Sequence, residues 1–279
     1  VVLAGVHGDE LEGVRAVQSL MTEIDPAQLA GTLLLIPVVN VMAFNACARR
    51  SPLDNVDLNR VFPGNPGGSI SEKMAPRLCH GLLAGSDLVI SLHGWYQNGT
   101  VAPWMEFVDI PTVAGLASHE AACAFGIPDL VGLPLLPGRL ISALAELDVP
   151  AIEGEVGGQA RFAEANWRIF AAGVQNVLRH LGMLAAGAIV NAITPIYSAL
   201  RGVFAPVGGL FQPAVALGDQ VQIGQVLGAI LGLYGQPIAE VIAPYEGKIS
   251  SLHTVGTAQP GAQLFTILEP TTPRHVPVA

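Results

Sequence analysis

Charge is what this chain has least of. Of its 279 residues only 13% are Asp, Glu, Lys or Arg, while 51% are hydrophobic. So apolar a composition excludes intrinsic disorder, which needs low hydrophobicity and high charge. Lysine is nearly missing: among 13 basic residues only Lys73 and Lys248 are lysines. Acidic residues are in excess, and the net charge of -9 excludes a non-specific electrostatic grip on nucleic acid or on an anionic membrane. Cysteine is scarce as well. Cys47, Cys79 and Cys123 are odd in number and far apart, which argues against a disulfide framework or a paired-cysteine metal site. A reducing cytoplasm is the expected compartment. Long apolar runs are also lacking. Residues 33–39 are broken by Pro37 and residues 183–190 carry Gly187, so nothing reaches the roughly 18–20 residues of a spanning helix. A soluble protein with a large apolar core is expected, with a composition compatible with homo-oligomers. Residue 1 already lies in an apolar run, so the natural chain is expected to begin earlier.

What is present alternates. Residues 1–6, 32–39, 88–92 and 151–156 read as buried strands, and residues 11–24, 70–83, 114–125, 140–147 and 162–181 as helices. Residues 40–66 read as a long loop, and Ser71 as the start of the helix that follows it. This alternation implies an α/β domain over residues 1–190, its mainly parallel sheet flanked by helices. From residue 197 to about 270 short β-type runs are separated by Gly and Pro, the pattern of a small all-β domain. Within it Ala205-Pro206-Val207-Gly208-Gly209 is echoed by Ala243-Pro244-Tyr245-Glu246-Gly247, which suggests a barrel-like fold of two hairpin units. The stretch from Gly218-Asp219 to Gly228 looks like a biotinyl/lipoyl-type domain, in which a lysine at a hairpin tip is modified. Here the domain's one lysine, Lys248, follows the second Ala-Pro echo where no tip is expected, so a carrier role is not assigned.

Chemistry concentrates in three places. Gly5-Val6-His7-Gly8-Asp9-Glu10 follows the first strand, and Leu92-His93-Gly94 ends another, so both lie at the edge where open α/β sheets bind ligands. Two His and one Glu with water make a catalytic zinc set. In the plainer alternative, His7 caps a helix and Glu10 serves the helix dipole. The segment from Arg49-Arg50-Ser51-Pro52 to Asp57-Leu58-Asn59-Arg60-Val61-Phe62-Pro63-Gly64 gathers three of the eleven arginines. These could fork onto a carboxylate or polarise a carbonyl, or merely pair with Asp54 and Asp57. Ile152-Glu153-Gly154-Glu155-Val156-Gly157-Gly158 places carboxylates at a strand end suited to general-base work, with Glu155 nearer the catalytic edge, unless they face solvent. Trp95-Tyr96 could shape an acyl pocket or simply pack.

Taken in order, His-Gly-Asp-Glu, Asp-Leu-Asn-Arg-x-Phe-Pro-Gly, Leu-His-Gly and Glu-x-Gly-Gly resemble the succinylglutamate desuccinylase/aspartoacylase family, a branch of the zinc-carboxypeptidase fold, over nearly the whole chain. The resemblance implies that His7, Glu10 and His93 bind one Zn2+. It further implies that Glu155 is general base and acid and that Arg49 polarises the scissile carbonyl. Asn59 and Arg60 would bind the substrate carboxylate, and Arg50 is a second candidate for substrate contact. Where the family often has Asp-Leu-His-Ser-Gly, this chain has Ser91-Leu92-His93-Gly94-Trp95. The expected activity is hydrolysis of the amide of a small N-acyl amino acid or N-acyl diamino acid. The alternatives are a zinc carboxypeptidase acting on peptide C-termini and a non-catalytic small-acid-binding protein.

Overall fold

Short apolar strands feeding amphipathic helices set the first two thirds of the chain. In the computed structural model, which describes residues 1–185 and 196–270, these are β1 (Val2–Ala4), α1 (Leu11–Glu23), β2 (Leu35–Ile36), α2 (Val41–Asn45), α3 (Ile70–Leu78), β3 (Val89–His93), β4 (Gly99–Val108), α4 (Val113–Phe125), β5 (Leu130–Leu133), α5 (Leu140–Glu146), β6 (Ala151–Gly158) and α6 (Glu164–His180). Strands β2, β1, β3 and β6 lie side by side in parallel. β4 joins β6 antiparallel and then pairs with β5 in parallel.

Alternation of side chains assigns the two faces. Val2, Ala4, Ile90, Leu92, Ile152 and Val156 pack under α1, α4 and α6, where Val17, Leu20, Phe125, Trp167 and Phe170 complete one core. Leu3, Val89 and Ala151 point the other way, onto α3 and α5. Ser91, His93, Glu153 and Glu155 share that second face by the same period of two. One sheet face is therefore hydrocarbon throughout, and the other turns polar towards its C-terminal edge.

Several sequence expectations need correction. The strand expected over residues 32–39 shrinks to two residues, because Pro37 donates no ladder hydrogen bond. The loop over residues 40–66 contains α2 and a single 3-10 turn at Leu58–Arg60, each started by a side-chain cap, from Asn40 and Asp57 respectively. Helix α3 is capped by Ser69 in a capping box with Glu72, not by Ser71, and past Pro76 it widens into a π-helical turn at Cys79–Leu83. β4 and β5 have no counterpart in the sequence reading. Pro103 disguises β4, which tolerates it at a break in the ladder between Val101 and Trp104.

The expected boundary near residue 190 lies outside the described residues. Beyond it come β7 (Ile196–Phe204), β8 (Gly209–Pro213), β9 (Gln220–Val221), β10 (Val226–Leu231), β11 (Pro237–Ile242), β12 (Gly247–His253), β13 (Thr257–Ala258) and β14 (Gln263–Pro270). β7 pairs with β5, and β12 with β4, so the large sheet runs on into the C-terminal strands. The path β4-β5-β7-β14-β12 returns to β4 and closes a five-stranded ring. β8, β10, β11 and β13 form a second sheet over a core that includes Phe211, Leu227, Ile230 and Phe265. No helix among the described residues is long and apolar enough to cross a membrane.

Candidate active site

Parallel pairing of β1 with β3 sets Ala4 beside Leu92, so the turn after β1 and the last residue of β3 meet at one edge. His7 and Glu10 come from that turn, and His93 from the strand end. All three are buried, at 2%, 2% and 1% exposure. His7 Nδ1 lies 2.8 Å from Glu10 Oε1, His93 Nδ1 lies 2.8 Å from Glu10 Oε2, and the two Nδ1 atoms are 3.3 Å apart. Among the described residues this is the one group of three such side chains placed to hold a metal ion.

The outer partners fix which nitrogen faces inward. His7 Nε2 is 2.9 Å from Asp57 Oδ1, and an ionised carboxylate only accepts, so this nitrogen carries the hydrogen. His93 Nε2 is 2.9 Å from Ser91 Oγ and 3.5 Å from Glu153 Oε2. Burial alone would raise the Glu153 pKa, but the guanidinium of Arg139, then the charge of His93, brings it down to about 2, so it too only accepts. Both Nδ1 lone pairs thus converge, with a carboxylate, on one point. Metal-binding histidines characteristically give their second nitrogen to such partners. Four ligands at the 2.0–2.1 Å of a zinc–nitrogen bond stand roughly 3.3 Å apart on tetrahedral edges, the separation of the two Nδ1 atoms. The field agrees. Burial is the largest influence on His7 and opposes its charge, yet the Glu10 carboxylate and the hydrogen bond to Asp57 together raise the imidazole pKa. Burial likewise opposes charge on Glu10, but the two imidazoles hold it well below the carboxylate range. The donor set fits a divalent cation of zinc's preferences.

Arg49 lies against this group. Its Nε donates to Asp57 Oδ2 at 2.9 Å and its Nη1 to Glu10 Oε1 at 3.0 Å, while the Tyr96 ring covers the guanidinium at 4.8 Å. Neighbouring Arg50 is exposed. Arg60 is exposed at the rim, with Nη1 on its neighbour's carbonyl, Asn59 O, at 2.7 Å. Asn59 itself is buried, its Nδ2 on Glu153 Oε2 at 3.1 Å and its Oδ1 accepting the Leu140 N–H at 2.8 Å.

Glu155 pairs across the ladder with His93 and so shares its face. It is buried, and its Oε2 has no hydrogen-bond partner. Burial first, then the charges of Glu10, Glu106 and Glu153, push its pKa well above the ordinary range, against the pull of Arg49.

The sequence reading passed over the support. Asp57 entered only as an ion-pair partner for arginines, although a histidine ligand calls for an outer carboxylate. Glu106 and Glu153 are bridged by Arg139, and Trp104 Nε1 donates to Glu106 Oε1 at 3.0 Å. Lys248 Nζ pairs with Asp129 Oδ2 at 2.6 Å and ties β12 to the start of β5.

Residues 1–181 match the family model described as the succinylglutamate desuccinylase/aspartoacylase catalytic domain. An N-alpha-acetyl-L-2,4-diaminobutyric acid deacetylase of Halomonas elongata is 29% identical over 278 residues, covering 96% of this chain and 81% of that protein. The product-bound structure of the ectoine utilization protein EutE (DoeB) from Ruegeria pomeroyi aligns with a TM-score of 0.88 at 29% identity, over 95% of this chain and 84% of that one. A succinylglutamate desuccinylase/aspartoacylase from Rhodobacter sphaeroides aligns at 0.87 with 27% identity, over 98% and 86%.

Proposed function

The chain belongs to the succinylglutamate desuccinylase/aspartoacylase family, and on that footing we propose that it is a zinc-dependent deacylase of zinc-carboxypeptidase-like fold. Its substrate is a small N-acyl amino acid, with an N-acetyl diamino acid first among the candidates because of the Halomonas relative. One observation carries the reading: two inward Nδ1 atoms and a carboxylate share a single point beside a cationic arginine.

His7, Glu10 and His93 would hold zinc, which would supply Lewis acidity of the kind that lowers the pKa of water from 15.7 to about 7. Glu155 accepts a proton from the attacking water as the C–O bond forms and returns it to the leaving amine as the C–N bond breaks. A carboxylic acid and an amine result. Burial and the neighbouring carboxylates keep the Glu155 pKa high, which suits the return of the proton to the amine. Arg49 donates to the carbonyl oxygen as negative charge grows on it, an interaction worth roughly 3–4 kcal/mol. Asp57 and Tyr96 hold its guanidinium from the edge and the face. Both ends of the Asn59 amide are engaged, so the substrate carboxylate falls to the exposed Arg60, with Arg50 as a second candidate for contact.

The test is a panel of N-acetyl-diaminobutyrate, N-acetyl-aspartate and N-succinyl-glutamate with the zinc-loaded protein and its Glu155→Gln variant. The wild type is expected to hydrolyse at least one member. The variant should keep its zinc and lose on the order of 10²–10⁴ in kcat. A variant turning over within tenfold of wild type would remove Glu155 from the mechanism.

A further inference from the structure

Glu12 lies in the first turn of α1, wholly buried, and takes no part in the chemistry above. Its Oε1 accepts the Gly158 N–H at 2.8 Å, and the Asn166 side chain also hydrogen-bonds the carboxylate. Its Oε2 has no partner. Glycines make the room it occupies. A Cβ on Gly157 would come within 2.1 Å of Oε1, and a Cβ on Gly94 within 2.7 Å of Oε2. Gly157 also needs its freedom for a φ of +73°. Gly94 does not, since it lies outside the left-handed region, and the next atoms its Cβ would meet are 3.4 and 3.5 Å away, ordinary contacts. Of these three neighbours, only Glu12 stands closer to such a Cβ than ordinary contact.

These glycines belong to the two strand ends that carry the chemistry. Gly94 follows His93 at the end of β3, and Gly157-Gly158 follow Glu155-Val156 at the end of β6. We propose that Glu12 is a positioning residue, whose carboxylate fills the space beside Gly94 and Gly157 and locks the strand end bearing His93 to the one bearing Glu155. The kinetic arm of this inference rests on the deacylase reading; the metal-binding arm stands without it.

A double-mutant cycle tests the lock, with zinc affinity read by chelator competition and kcat and KM measured separately. In Gly94→Ala the new methyl pushes the carboxylate off Gly158 and disturbs His93. Zinc binding is expected to weaken about tenfold, and kcat to fall tenfold or more with KM within about twofold. Glu12→Ala should lower kcat similarly, while Glu12→Gln, which keeps the shape and the acceptor oxygen, stays within about threefold of wild type. The double variant should bind zinc no more weakly than Glu12→Ala alone, because the clash has gone. Losses that multiply in the double variant, or a Glu12→Gln as poor as Glu12→Ala, would overturn the proposal. If Gly94→Ala fails to fold, recovery of folding in the double variant supports the lock, and failure of both refutes it. A wild type inert on every acyl substrate would sink the deacylase reading and leave the zinc cycle to decide on Glu12.

Discussion

Asp57→Asn separates the two services that Asp57 performs. The carboxylate receives three donors: Oδ1 takes His7 Nε2 at 2.9 Å and the Asn59 N–H at 3.0 Å, while Oδ2 takes Arg49 Nε at 2.9 Å. An asparagine would keep its oxygen on the side with two donors, because reversing the amide would confront both with hydrogens. His7 then retains a hydrogen bond and its tautomer but loses the negative charge behind the ring, whereas the amide N–H₂ faces the Arg49 N–H, donor against donor. Loss of an outer carboxylate typically costs 10- to 100-fold in metal affinity, and the retained hydrogen bond sets the expectation at the lower end, about tenfold or 1.4 kcal/mol. Arg49 fares worse. It loses a charge-assisted bond worth about 1.5–3 kcal/mol, leaving Glu10 and the Tyr96 face to hold it. A loss of roughly 10- to 150-fold in kcat beyond the metal defect follows when zinc is saturating. Chelator competition measures the first quantity and kcat at saturating zinc the second. The reasoning is refuted if zinc affinity collapses while kcat at saturation stays normal, since Asp57 would then serve His7 alone.

How much of this could be seen in the sequence depended on whether the signal was local. His7-Gly8-Asp9-Glu10 and Leu92-His93 were legible because each joins a strand to its own end, where side-chain direction follows from a period of two. Arg49 could not be told from Arg50 by residue type, and what separates them is that one reaches Glu10 and Asp57 while the other is exposed. Nothing local distinguishes Glu12 from any other acid in a first helical turn. Its burial depends on glycines far along the chain, a relation that no helical period contains. Glu106 was hidden with β4 behind Pro103, and Arg139 at the start of α5 reads as a solvated helix end until Glu106 and Glu153 are seen on either side of it. The turn-rich pattern of the C-terminal strands was visible. Closure of the ring through β4 and β5 was not, because pairing of residues 66 to 154 positions apart leaves no trace in local periodicity.

Two further perturbations test the edges of this account. Arg49→Lys replaces a planar fork with a point charge that cannot bridge Asp57 and Glu10, so kcat should fall about 100-fold, whereas Arg50→Lys should leave kcat within about twofold and act, if at all, on KM. Steady-state kinetics decide, and a larger kcat loss in the Arg50 variant would reverse the assignment of the polarising arginine. Tyr197 probes the seam between the α/β strands and the C-terminal strands at high pH. Burial, and then the Asp129 carboxylate that it hydrogen-bonds, raise its phenol from 10.0 to about 12. Between those values the folded protein keeps a proton that the unfolded chain has released. The contribution is therefore complete below pH 10 and lost as pH rises through about 12. At 1.36 kcal/mol per unit the shift comes to about 2.7 kcal/mol, which solvent screening near the phenol lowers to on the order of 2 kcal/mol. Denaturant unfolding of wild type and Tyr197→Phe at pH 9–12 should show the wild type losing stability more steeply by about that amount. Parallel curves would mean that the phenol carries no such shift.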